Sequence, residues 1–134
     1  MNRALGIDYG DRRIGIALSD PLKIISKPLI TLKNNSNFLS ELKNIIEEKD
    51  VDVAVVGYPI GMKGQITKQT EKVESFIQLL IENINIKISK VDERLSTVSA
   101  LHSLIEQGIK TGHNKELIDD TSAAIILQEF LDRK

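Results

Sequence analysis

The sequence predicts an α/β domain in which a mixed sheet carries helices on its faces. Three observations point there. Short apolar runs of strand length open the chain and return later. Amphipathic segments at helical spacing separate the later runs. The resulting order, β-β-β-α-β-α-β-α-α, is that of a sheet with helices packed against it. No repeat, low-complexity tract or linker interrupts the pattern, so residues 1–134 read as one domain, long enough to bury a core.

Residues 3–8 form the first expected strand, with Leu5 and Ile7 on one face and Ala4, Gly6 and Asp8 on the other. Tyr9 to Arg13 supplies a Gly-containing turn, and Ile14 to Ser19 resumes as a second strand. Lys27 to Leu32 is a third, which Pro28 restricts to a sheet edge or a strand start. Ser36 or Asn37 can cap a helix in which Phe38, Leu39, Leu42, Ile45 and Ile46 recur, ending near Lys49. Val51 to Gly57 is almost continuously apolar, as in a strand covered on both faces. A loop rich in Gly and Pro, Tyr58 to Gly64, precedes a helix marked by Val73, Phe76, Ile77, Leu80 and Ile81. Ile86 to Val91 alternates like a half-covered strand and leads into Asp92-Glu93-Arg94. Ser96 or Thr97 can cap a third helix that stops at Gly108; residues 109–117 read as a polar loop, and a last helix runs from about Ile118 to Asp132.

Composition narrows the function. With 41% hydrophobic and 28% charged residues the chain has the balance of a soluble globular protein. It has no cysteine, which excludes disulfides, thiolate zinc sites and a Cys nucleophile. No apolar run approaches the roughly 20 residues of a membrane span, and no signal-peptide layout opens the chain, so a cytoplasmic protein is expected. The net charge of −1, from 18 basic and 19 acidic side chains, shows no overall basic excess for nucleic acid. Three Phe and two Tyr are too few for a base-stacking platform.

Three acids occupy positions where α/β sheets place their chemistry. Asp8 ends the first strand, Glu93 follows the last, and Asp119 lies at the start of the final helix. Ligands of open α/β sheets bind beyond the carboxyl ends of the strands, so Asp8 and Glu93 can meet there. Asp119 shares a helical face with Ser122, Ala123 and Ile126, and the small residues among them let that helix lie close. Carboxylates gathered without cations repel; divalent ions such as Mg²⁺, which prefer oxygen ligands, relieve this. A pair of ions could clamp the attacking and leaving oxygens of a phosphoryl displacement, with no protein nucleophile. Each acid also has a plainer reading: Asp8 as a turn residue, Glu93 as a surface partner of Arg94, and Asp119 or Asp120 as favoured by the helix dipole.

Four motifs in order resemble the YqgF family. They are Gly6-Ile7-Asp8-Tyr9-Gly10 with Arg13-Ile14-Gly15-Ile16-Ala17; Val56-Gly57-Tyr58-Pro59 leading to Met62-Lys63-Gly64; Asp92-Glu93-Arg94-Leu95-Ser96-Thr97; and Asp119 followed by Ser122-Ala123-Ala124-Ile125-Ile126-Leu127-Gln128. Members of that family are small bacterial proteins, also labelled Holliday junction resolvases (RuvX). The resemblance spans essentially the whole chain. It implies a ribonuclease H-like fold, with a mixed five-stranded sheet of three antiparallel strands first and then two parallel ones.

The resemblance also implies a nuclease dependent on Mg²⁺ or Mn²⁺, acting in 5′-end maturation of pre-16S ribosomal RNA in the cytoplasm. Asp8, Glu93 and Asp119 would then be the catalytic, metal-holding acids; Asp120 is the rival to Asp119, and the register to Ser122 and Ala123 favours Asp119. Family members often carry a Lys/Arg cluster before the last helix, whereas Gly108 to Lys115 holds only Lys110 and Lys115. The candidates for gripping the nucleic-acid backbone are therefore Arg12, Arg13, Lys63, Lys68 and Arg94. His102 and His113 read as surface residues.

Three other readings compete. Actin-like and sugar-kinase ATPases open with a similar strand–Asp–Gly hairpin, but they need a second phosphate-binding half and no Gly-rich Lys-Ser/Thr loop is present. A resolvase of branched DNA would be expected to work as a dimer, since a four-way junction offers two symmetric strands; the expected state of this chain is a monomer or weak dimer. A non-catalytic RNA-binding module, associated with ribosomes or transcription factors, would bind without cutting.

Overall fold

The computed structural model describes residues 2–61, 63–92 and 115–133, with the side chains of residues 115–121 outside that set. β1 (Arg3–Asp8), β2 (Arg13–Ser19), β3 (Ser26–Lys33), β4 (Val51–Tyr58) and β5 (Lys87–Asp92) form one sheet in the order β3-β2-β1-β4-β5. β1, β2 and β3 are antiparallel neighbours, and β4 and β5 join them in parallel. This is the ribonuclease H-like sheet that the family resemblance implies. β3 is the edge strand that Pro28 requires, and its mostly exposed residues include Lys27 and Lys33, which discourage pairing with another chain.

The alternation in β1 sorts the core into two layers. Leu5 and Ile7 join Ile14, Ile16, Ala54 and Val56 beneath α1 (Phe38–Glu48) and α2 (Lys68–Asn83), which contribute Phe38, Leu42, Val73, Phe76, Ile77 and Leu80. Ala4 joins Ala17, Val53, Val55 and Val91 on the opposite face, covered by Ala123, Ile126, Leu127 and Leu131 of α3 (Lys115–Asp132). Each large apolar side chain buried in this way favours folding by roughly 1.5–3 kcal/mol.

Several local expectations change. Asn37 occupies the N-cap of α1, but its side chain makes no capping bond; the turn closes through Asn35, whose carbonyl accepts from Phe38 N–H at 3.1 Å and whose Oδ1 accepts from Asn37 N–H at 2.9 Å. Ile81 is 54% exposed because the apolar stripe of α2 narrows toward its C-terminus. α3 begins at Lys115, not near Ile118, so position 119 sits in the second turn, where the dipole attracts an acid less. The helix expected from Ser96 or Thr97 to Gly108, which carries His102, and the loop residue His113 lie outside the described residues.

Candidate active site

Asp8 ends β1 at the carboxyl edge of the sheet and is 9% exposed. Its face follows from alternation: Ala4, two pairs earlier, packs under α3, so Asp8 belongs to the α3 face. On one flank Asp8 pairs with Gly15 of β2. On the other, one step past the Ile7–Val56 pair, it stands level with Gly57 of β4. The carboxylate therefore has neighbours without side chains on both adjacent strands.

α3 crosses this face in a direction that its contacts fix. Gln128 Nε2 donates to the Ile24 carbonyl at 2.9 Å, and Gln128 Oε1 accepts from Ser26 N–H at 2.9 Å. These bonds anchor the C-terminal half of α3 beside the start of β3, at the end of the sheet where β1 begins. Five residues earlier, Ala123 lies over Gly6, so the N-terminal turns run toward Asp8. Position 119 is four residues back from Ala123, or about 6 Å at about 1.5 Å per residue; Asp8 is about 6.6 Å beyond Gly6 at about 3.3 Å per residue. The two levels coincide.

Farther along α3 the buried and half-buried positions alternate. The residues three, four, seven and eight places after 119 are Ser122, Ala123, Ile126 and Leu127, all buried. The corresponding set after 120 includes Ala124 and Gln128, which are only half-buried. Side chains 119 and 120 themselves lie outside the described residues, as do Glu93 and Arg94. Gly57 pairs with Val91, whose side chain joins the α3 layer, while Asp92 points to the other face. Among the described residues no three acids or histidines converge.

The basic candidates fall into two groups at this edge. Arg12 sits on the β1–β2 turn and Arg13 opens β2; the turn is held from both sides. Asn34 Nδ2 donates to the Gly10 carbonyl at 2.9 Å, Asn34 N–H donates to the Arg12 carbonyl at 2.9 Å, and Asp11 pairs with Lys72 of α2 at 3.2 Å. Gly10 is required there, since a Cβ would run into the Arg13 carbonyl oxygen. Lys63 and Lys68 are exposed on and beside the loop after β4. That loop is folded on itself: Gly61 N–H donates to the Gln65 carbonyl at 2.9 Å, Gly64 turns at φ 83°, and Lys63 N–H donates to Gln65 Oε1 at 3.0 Å. Thr67 caps α2 reciprocally with Thr70, whose hydroxyl also donates to the Pro59 carbonyl.

On the opposite face a brace supports the end of β4. Tyr58 donates its phenolic proton to Glu74 Oε1 at 2.5 Å, Lys90 Nζ donates to the same oxygen at 3.1 Å, and Lys90 lies 4.6 Å from the Tyr58 ring centre. The bond to Glu74 raises the Tyr58 pKa; the bonds from Tyr58 and then Lys90 lower that of Glu74. The sequence offered no signal for this trio, because its members come from three elements. It keeps Gly57 in place but does not share its face.

The donor chemistry fits a hard divalent cation. Asp8 offers carboxylate oxygen in a confined position, and a chain without cysteine has no thiolate to draw a softer metal.

Comparison with known proteins gives the family and the fold. The family model described as "RuvX: Holliday junction resolvase" matches residues 2–133. A Clostridium botulinum (strain Hall) protein named "Putative pre-16S rRNA nuclease" is 41% identical over 132 residues, 97% of this chain and 96% of its own length. A Ruminiclostridium cellulolyticum protein of the same name is 43% identical over 134 residues, 98% and 94% of the two chains. Among solved structures, T. thermophilus RuvC in complex with a Holliday junction substrate has a TM-score of 0.59 at 11% identity, covering 99% of this chain and 95% of that one. Fowlpox virus resolvase in complex with Holliday junction DNA has a TM-score of 0.57 at 15% identity, covering 98% and 97%. At such identities the structural likeness speaks for the fold alone.

Proposed function

Because this chain belongs to the RuvX family, we propose that it is a metal-dependent nuclease that hydrolyses phosphodiester bonds, with the 5′ end of precursor 16S ribosomal RNA as its substrate. The observation that carries the reading is the setting of Asp8: a confined carboxylate at the carboxyl edge of the sheet, between Gly15 and Gly57, level with position 119 of α3.

Asp8, Glu93 and Asp119 would hold Mg²⁺ or Mn²⁺, as one ion or as a pair. When bound, such ions supply water activation and stabilisation of the leaving oxygen. The chain's own part is to fix Asp8 on a strand end, shield it beneath α3 and bring the other acids to it. Arg12, Arg13, Lys63, Lys68 and Arg94 would hold the phosphate backbone; such contacts set register without reading bases.

A second reading, resolution of branched DNA, is favoured by the family's description. The two separate in one assay, in which end-labelled RNA carrying the 5′ precursor segment and a four-way DNA junction are each incubated with the protein and Mg²⁺. The proposal expects the RNA to be cut. Symmetric cuts in the junction with intact RNA would favour the second reading, and binding of RNA without cleavage would make the protein a binding module associated with ribosomes or transcription factors.

A further inference from the structure

Ser122 is fully buried on α3, and its hydroxyl has no hydrogen-bond partner among the described residues. A helical serine ordinarily returns its proton to the preceding turn or faces water. Ser122 does neither, and a buried polar group left unpaired calls for an explanation such as an ion site.

Its position supplies one. Ala123 and Leu127 meet Gly6 of β1, while Gln128 reaches the start of β3. At 3.6 residues per turn, Ser122 lies on the flank of this stripe away from Gln128, toward β4. It also lies nearer the N-terminus of α3 than Ala123, on the Asp8 side of Gly6. Beside Asp8 that strand carries Gly57, which puts no side chain on this face.

We propose that Ser122 is a positioning residue of the acidic site, its hydroxyl donating a hydrogen bond to a carboxylate oxygen of the Asp8 cluster once a divalent cation draws the acids together. The inference rests on the metal-dependent reading above and goes beyond it by assigning a residue outside the acidic set. Metal ligands are commonly oriented by outer hydrogen bonds of this kind. The orphaned hydroxyl is then a cost of the cation-free protein, removed when the site fills.

The test compares the full chain with its Ser122→Ala, Ser122→Thr and Asp8→Asn variants, using Mn²⁺ as the probe. Free Mn²⁺ is followed by electron paramagnetic resonance, and thermal unfolding is recorded with and without the ion. Without cation, Ser122→Ala should unfold at the same temperature as the unmodified protein or higher, because an unsatisfied hydroxyl has been removed. Its affinity for Mn²⁺ should fall about 10–100-fold, and Ser122→Thr, which keeps the hydroxyl, should lose less. Unchanged Mn²⁺ affinity in Ser122→Ala would overturn the proposal and leave the nuclease reading standing. A Ser122→Ala protein less stable without cation would overturn it too, since the hydroxyl would then already have a role in the cation-free fold. Failure of the unmodified protein to bind Mn²⁺, or equal binding by Asp8→Asn, would instead remove the metal-dependent reading and this inference with it.

Discussion

Gly6 and Ala123 are in backbone contact: a Cβ built on Gly6 would stand 2.6 Å from the Ala123 carbonyl oxygen and 2.7 Å from Leu127 Cβ. The absence of a side chain at one position in β1 therefore sets how closely α3 lies on the sheet. Gly6→Ala would ordinarily favour folding by restricting the unfolded chain. At this contact the opposite sign is expected, because α3 must lift. A loss of about 1–3 kcal/mol, of the size seen for overpacked cores, should appear in urea unfolding. Nuclease activity should fall further than stability does, since the lift also moves position 119 away from Asp8.

Thr70 offers a second test, of the loop that carries Lys63. Its hydroxyl is buried and serves Pro59 and the Thr67 cap at once. Thr70→Val keeps the shape and leaves the Pro59 carbonyl without that donor, at a cost of about 1–3 kcal/mol in chemical unfolding. Thr70→Ser, which retains the hydroxyl, should recover most of the loss.

The acid limb of stability should report Asp20. Its Oδ1 accepts from Ile24 and Ile25 N–H at 2.7 and 2.8 Å, and the Ile25 bond, then the Ile24 bond, hold its pKa below the ordinary 3.8. A carboxyl group whose folded pKa is depressed contributes stability that is fully present above its unfolded value and is lost as pH falls through the folded one. Asp52, held down chiefly by the hydrogen bond from Lys23, acts in the same direction. Asp20→Asn should flatten the decline in unfolding temperature below about pH 3.8 and leave the curve near pH 7 parallel to that of the unmodified protein.

Much of the fold could be read from periodicity, since it was imposed by period. The alternation in residues 3–8 assigned Leu5 and Ile7 to one layer and Ala4, Gly6 and Asp8 to the other, and the two core clusters follow that division. Pro28 marked the sheet edge because its missing N–H cannot serve a central strand. Helix ends were less legible: Lys115 to Glu116 carries no apolar face, so the start of α3 could not be seen from a hydrophobic repeat. Of the site, Asp8 was visible as an acid ending a strand. Its two glycine flanks were not, because Gly15 and Gly57 become its neighbours only through pairing between strands. The missing partner of Ser122 was equally invisible, since the sequence shows a small residue on a buried face and nothing of what its hydroxyl meets.

The decisive measurement is cleavage of an end-labelled RNA bearing the 5′ precursor segment by the unmodified protein and by Asp8→Asn, in Mg²⁺, Mn²⁺ or EDTA. The proposed function requires cutting with either metal, none in EDTA, and a loss of more than about 100-fold in Asp8→Asn, the upper end of what outer partners of a metal site cost. Both proteins should show the same circular dichroism spectrum. Full cleavage by a folded Asp8→Asn protein, or cleavage undiminished by EDTA, would contradict the role of Asp8 as a metal-holding acid.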